Sequence, residues 1–434
     1  MILIRLGAWV VLVLCAVFLL TTGGTYPGIA SIEAHVIGQI IAIGVLGTWS
    51  VVSIWKPAWR AATPLLLPIA LAAGAYLLSG LFSQRPRLSF EPLLAGLGWA
   101  LAYPFLARLL ADGWFRARVA VVMTAFVAVV AFGYIAQVLV EWWNWWGLIG
   151  RFAIPPLRPS FVALWLGSPN LIGTTLVLLA PLVVTIAWTR GRQRGIAVVL
   201  GLAAALAVFL SGSRGAFLGV GVGAALAVAL AALRSGGIRS PVASTVDRLR
   251  ARPILALPVV GLALVGLALT PSLLARFAQG GGTLRLDLWR SALKIFAEHP
   301  LVGAGPGTWV QLKVAANPPG VPNLILPHAH DMYVQAAAEV GVVGLLALAV
   351  LAFALARRLW AGWRSPDRAL SFESGAVLVS LGAFAAQSVV DNLVNLPMIV
   401  VILVAIVAWV DGGLTRVERD ATGATSAVAA GSGR

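Results

Sequence analysis

Apolar residues fall along this chain in long unbroken runs, and polar residues gather between the runs rather than within them. Stretches of roughly 17–25 apolar residues are long enough to cross about 30 Å of hydrocarbon as helices. They predict twelve spans, at about 6–22, 36–54, 64–82, 91–111, 117–140, 171–189, 195–210, 215–233, 253–270, 332–356, 372–390 and 395–411. A membrane β-barrel requires apolar and polar residues to alternate, and these runs do not alternate. The pattern predicts an all-α polytopic membrane protein.

The spans divide the chain into residues 1–270 with nine of them, a large loop at 271–331, residues 332–411 with the last three, and a tail at 412–434. The tail ends in "ATGATSAVAAGSGR", small and polar, which predicts disorder. The first run follows Arg5 and lacks a small-x-small cleavage site, so it is expected to be a retained span. No internal repeat is visible.

Composition sharpens this picture. Of 434 residues 60% are hydrophobic and 11% charged, with mean hydropathy +0.95. The single cysteine, Cys15, excludes disulfides within the chain and cysteine-ligated zinc. With the N-terminus placed inside, 21 of the 31 Lys and Arg residues fall in inner segments, so both termini are expected in the cytoplasm. The net charge of +16 is then accounted for by this bias and by anionic membrane lipids, and nucleic acid is not an expected partner.

The candidate chemistry lies on the outer side. All four histidines, His35, His299, His328 and His330, fall there. "PHAHD" sets His328 and His330 directly before a span, behind the elbow of Pro327. Two imidazoles at i, i+2 converge on a metal only in extended backbone, and no third ligand stands at a recognisable spacing; a general base is the sharper reading.

Residues 284–298 read as an amphipathic helix with Leu286, Trp289, Leu293, Phe296 and Ala297 on the apolar side and Asp287, Ser291, Lys294 and Glu298 on the polar side. Arg290 lies at the edge of the polar side, near Asp287. Arg285 falls among the apolar side chains, where a guanidinium requires an anionic partner. Arg214, in the short "SGSRGA" turn at the start of a helix, combines its charge with free N–H groups, a site suited to phosphate. "EWWNWW" at 141–146 is an aromatic belt or a stacking platform for sugar rings. "GSPNLIG" at 167–173 reads as a helix start offering Ser168 and Asn170 as polar contacts.

Taken in order, "SPNLIGTTLVLLAPL" (168–182), "SGSRGA" (211–216), "RLDLWRSALKIFAEHPLVGAGPGTW" (285–309) and "HAHDMYVQAAAEVGVVGLL" (328–346) resemble the O-antigen ligase and O-antigen polymerase superfamily of bacterial membrane glycosyltransferases. The resemblance covers roughly residues 160–360. It implies a GT-C type fold in the inner membrane, with the active site on the periplasmic face. It implies a donor glycan carried on undecaprenyl pyrophosphate and an acceptor that is either lipid A–core, for a ligase, or another lipid-linked glycan, for a polymerase. By position, Arg214 and Arg285 match the arginines that hold the pyrophosphate and His330 matches the essential loop histidine. Asn170, Arg290, His328 and Asp331 are the expected supporting residues. Asp331 departs from the Asn usual there, a neighbouring carboxylate expected to act on the His330 ring. No DxD motif is present, so a metal-independent, inverting, cofactor-free transfer is expected, with ligation of lipid A–core foremost. A transporter or flippase of lipid-linked glycan would use the same arginines, but would more often set its site near the midplane. A purely structural scaffold would leave Arg285 unexplained.

Overall fold

The computed structural model describes residues 32–56, 59–61, 63–151, 153, 155, 164–191, 193–235, 282–316, 326 and 328–431, and these are helical almost throughout. The helices are α1 (Ile32–Trp55), α2 (Leu66–Leu81), α3 (Pro86–Leu110), α4 (Gly113–Ile149), α5 (Pro169–Thr189), α6 (Arg194–Leu210) and α7 (Arg214–Ser235). After them come α8 (Gly282–Glu298), α9 (Trp309–Ala316), α10 (Met332–Trp363), α11 (Arg368–Gln387) and α12 (Pro397–Gly431). Seven of these are long and apolar enough to cross a membrane, and three shorter apolar helices lie in α1, α2 and α6. Ten of the expected spans coincide with helices. Those at 6–22 and 253–270, and Cys15, lie outside the described residues.

Helix starts follow local chemistry. Asp112, Ser168, Asp331 and Asp367 each accept a backbone N–H of the first turn of α4, α5, α10 and α11, and Pro86, Pro169 and Pro397 open α3, α5 and α12. The core is built around α5, whose Leu171, Ile172, Leu176, Leu178, Leu182 and Val183 are buried against its neighbours. α11 packs on α5, α7 and α10. Gly215, Gly219 and Gly223, spaced by four on α7, bring its backbone onto α11; a Cβ at Gly219 would lie 2.8 Å from the Ala383 carbonyl oxygen.

Two extents and one loop differ from the pattern. The span expected to end at 140 runs on: α4 continues through "EWWNWW" to a C-cap at Gly150. The tail expected to be disordered from 412 instead continues α12, because a helix already nucleated by a packed span extends readily through Ala-rich sequence. Arg358 holds this extension from α10, bonding Asp411 and Glu418. The described part of the 271–331 loop is folded, with Leu288, Ala292, Ile295, Ala304, Trp309, Ala329 and Ala338 forming a second small core that seats α8 and α9 on α10.

Candidate functional site

Five segments converge at one end of the bundle: the start of α5, the 211–213 turn entering α7, the start of α8, residues 328–331 before α10, and the 388–396 connection between α11 and α12. Helix alternation dictates this, since α6 and α11 end where α5, α7, α10 and α12 begin.

His330 is the centre of the arrangement. Its Nδ1 lies 3.4 Å from Oδ1 of Asp391, at the long end of hydrogen-bond distance. Asp391 is buried and held from two further sides, by the Nδ2 of Asn170 on Oδ2 (3.2 Å) and by the backbone N–H of Asn392 on Oδ1 (2.9 Å). Burial alone would push the Asp391 carboxyl up. The hydrogen bond from His330, the charges of His328 and His330 and the Asn392 N–H outweigh burial and hold it below the usual carboxylate range. With the Nδ1 proton directed at Asp391, the lone pair of His330 sits on Nε2, the form a general base needs.

His328 has a different task. Its Nδ1 accepts the backbone N–H of His330 at 3.2 Å, and the two rings meet edge to face at 4.2 Å between centroids. Burial, first of all, drives its pKa down to about 4, assisted by the charges of His330, Lys313 and Arg285 against the pull of Asp391. The rings meet although the backbone is not extended, because His330 adopts a left-handed φ of 55°.

His328, His330 and Asp391 bring three ligand-type atoms within 4.8 Å of one another, so the third group absent from the local spacing is supplied from a distance. The hydrogen bonds favour a His–carboxylate pair over a cation site. The His328 Nδ1 lone pair is already taken by the His330 N–H, and Arg285 stands within electrostatic reach of Asp391.

Arg285 is half-buried, in reach of Arg214 as well; desolvation first, and the Arg214 charge second, lower its pKa, with Asp391 opposing. Arg214 is the first residue of α7 and partly buried, among the buried Ser211, Gly212, Ser213, Gly215 and Ala216. Lys313 on α9 adds a third cation: buried, it donates to the Leu326 carbonyl and lies over the Trp309 ring. With Arg285 in reach of Asp391 and Arg214, and Lys313 acting on His328, this excess of cations suits an anionic ligand.

Four expectations are corrected. Asp331 does not act on His330. Its Oδ1 caps α10, accepting from Tyr333 N (2.8 Å) and Val334 N (3.0 Å), a task Asn performs equally. Arg290 is not part of the cluster; it points outward and pairs with Asp287 at 2.9 Å. The inward face of α8 is Leu288, Ser291, Ala292 and Ile295, while Leu286 and Leu293 are 48% and 52% exposed. The tryptophans of "EWWNWW" form no single platform: Trp142 enters the core, Trp146 donates to the Ala153 carbonyl (2.7 Å), and Trp143 is exposed. Asp391, in contrast, was not singled out from sequence. Its one signal is a carboxylate in the polar break "SVVDNLVN" between two apolar runs.

Residues 196–349 match a family model described as O-Antigen ligase. The matched segment runs from α6 into α10 and carries Arg214, Arg285, His328 and His330, while Asn170 and Asp391 reach the site from outside it. A search of curated proteins finds no match. With that match over the segment bearing its cationic and histidine groups, residues 196–349 of this multi-pass helical chain are similar to the O-antigen ligase family.

Proposed function

We propose that this protein is a metal-independent, inverting glycosyltransferase that moves a glycan from undecaprenyl pyrophosphate to an acceptor hydroxyl on the periplasmic face of the inner membrane, with lipid A–core as the acceptor. The observation that carries the reading is the His330–Asp391 pair beside Arg285 and Arg214.

In this reading Nε2 of His330 takes the proton of the acceptor hydroxyl. The acceptor oxygen forms a bond to the anomeric carbon as the bond from that carbon to the pyrophosphate oxygen breaks, and lipid pyrophosphate leaves with the electron pair. Arg214 and Arg285 meet the charge that develops on the leaving oxygen, the part a metal plays in transferases that hold one. Asp391 fixes the tautomer of His330 and stabilises the imidazolium, and Asn170 fixes Asp391. His328 keeps the turn in place.

Purified protein reconstituted with a lipid-linked oligosaccharide and lipid A–core, in the presence of a chelator, should yield glycan joined to core. Longer lipid-linked chains formed without core would instead assign a polymerase, and movement of intact donor across the bilayer would assign a carrier. His330→Ala should lower transfer at least about 10²-fold, and Arg285→Ala should act in the same direction. Asp391→Asn should lower it strongly while Asp331→Asn leaves it within about twofold, because Asn caps a helix as Asp does. Undiminished transfer by His330→Ala would overturn the base.

A further inference from the structure

We propose that Gln335 is a positioning residue, whose side-chain amide locks the segment bearing His330 to the segment bearing Asp391; the proposal rests on the transferase reading above.

His330 is a non-glycine residue in the left-handed region, which persists only where surroundings over-determine it. Three bonds do so: His330 N donates to His328 Nδ1, Met332 N to the Ser388 carbonyl (2.9 Å), and Ala329 N to Oε1 of Gln335 (2.9 Å). That same oxygen also accepts Nδ2 of Asn392, again at 2.9 Å. A single atom therefore ties the residue before the base to the residue after its carboxylate, across 57 positions of sequence between Gln335 and Asn392.

The amide has no freedom to turn over. Its Nε2 donates to Oε1 of Glu339, one helical turn along α10 (3.1 Å), and that carboxylate also accepts the backbone N–H of Trp309 (3.3 Å). The Glu339 carbonyl is fixed in turn by Ser79 Oγ (2.7 Å) and Gly305 N (3.0 Å). Gln335 is itself buried. Arg214 and Arg285 come from α7 and α8, whereas the Gln335 amide bonds Ala329, Glu339 and Asn392. Loosening the amide therefore disturbs the pairing of base and carboxylate while leaving the cations that would take the donor.

The test is Gln335→Met, of similar volume and without the hydrogen bonds, in the reconstituted transfer assay with lipid-linked oligosaccharide. The kcat should fall at least about tenfold while the donor KM stays within about twofold. Asn392→Ala, which removes one of the two donors, should give a smaller drop of the same kind, and it decides the matter if Gln335→Met does not fold. Gln335→Glu combined with Glu339→Gln, which exchanges the partners of that bond, should recover part of the lost kcat. An unchanged kcat in folded Gln335→Met, or a rise in KM alone, overturns the lock while leaving the transferase reading intact. Absence of any glycan transfer by the wild-type protein would take both readings down.

Discussion

His328 and His330 stand two residues apart, yet burial gives them different chemistry. His328 is enclosed and neutral, its pKa held down at about 4 against an ordinary 6.5, and its Nδ1 is occupied by the His330 N–H. A proton on Nδ1 would remove that acceptor. Because the folded chain binds this proton more weakly, the unfolded chain binds more protons between pH 6.5 and about 4. Stability is therefore fully present above pH 6.5 and falls on acidification through that window, by on the order of 3 kcal/mol for this group. Thermal unfolding in detergent followed from pH 7 to pH 4 should show the loss, and His328→Asn, whose side-chain oxygen can accept the same N–H without titrating, should flatten it. The two histidines and Arg285 were legible from residue type and spacing. Asp391 was not, because it lies 61 residues beyond His330 and meets it only through the turn between α11 and α12.

At the scale of elements, the broken helix α10 matters most. Gly341, with φ 63° and ψ −168°, interrupts its ladder, and the glycine-rich segment "HPLVGAGPG" supplies the missing partners. Ala304 N and Gly305 N donate to the carbonyls of Ala338 and Glu339, and Val342 N and Val343 N donate to Pro300 and Leu301. Within an apolar environment, such a break is tolerated only where other protein groups satisfy the freed backbone. The two segments touch closely at Gly303, where a Cβ would lie 2.3 Å from the Glu339 carbonyl carbon. Gly303→Ala, strained also by a φ of +72°, should lower the unfolding temperature, with a cost of about 1–3 kcal/mol. Gly221→Ala, with nothing within 4 Å, should not lower it, and thermal scans of the two proteins check this. The helix over 282–298 was legible in the sequence, but its phase was not. Lipid and protein both accept apolar side chains, so the stripe of Leu286 and Leu293 competes on equal terms with that of Leu288, Ala292 and Ile295.

Across the whole molecule, the end away from the site is held by buried ion pairs. Arg116 pairs with Glu373 at 2.5 Å, donates to the Trp409 carbonyl and stacks on that ring, while Trp409 Nε1 donates to Glu373 (2.8 Å). Asp411 accepts from Tyr103 (2.8 Å) and Arg358. These pairs join α3, α4, α10, α11 and α12. Glu373→Ala leaves Arg116 buried without its counter-charge and should cost about 3–5 kcal/mol, whereas Arg116→Met with Glu373→Leu should be far milder. Unfolding measured in detergent distinguishes the two, and transfer per folded molecule should change little because the pair lies at the opposite end.

The sequence by itself determined that the chain is a helical membrane protein and where ten of its spans run, and it singled out Arg214, Arg285 and His330 as candidates, because apolar run length, caps and residue type are local properties. Tertiary structure alone decided that Asp391 stands beside His330 with Asn170 bonded to it, that Asp331 caps a helix and that Gln335 joins two distant segments. Those outcomes depend on which helix ends come together, and a hydrogen bond between segments some sixty residues apart leaves no periodic trace in either.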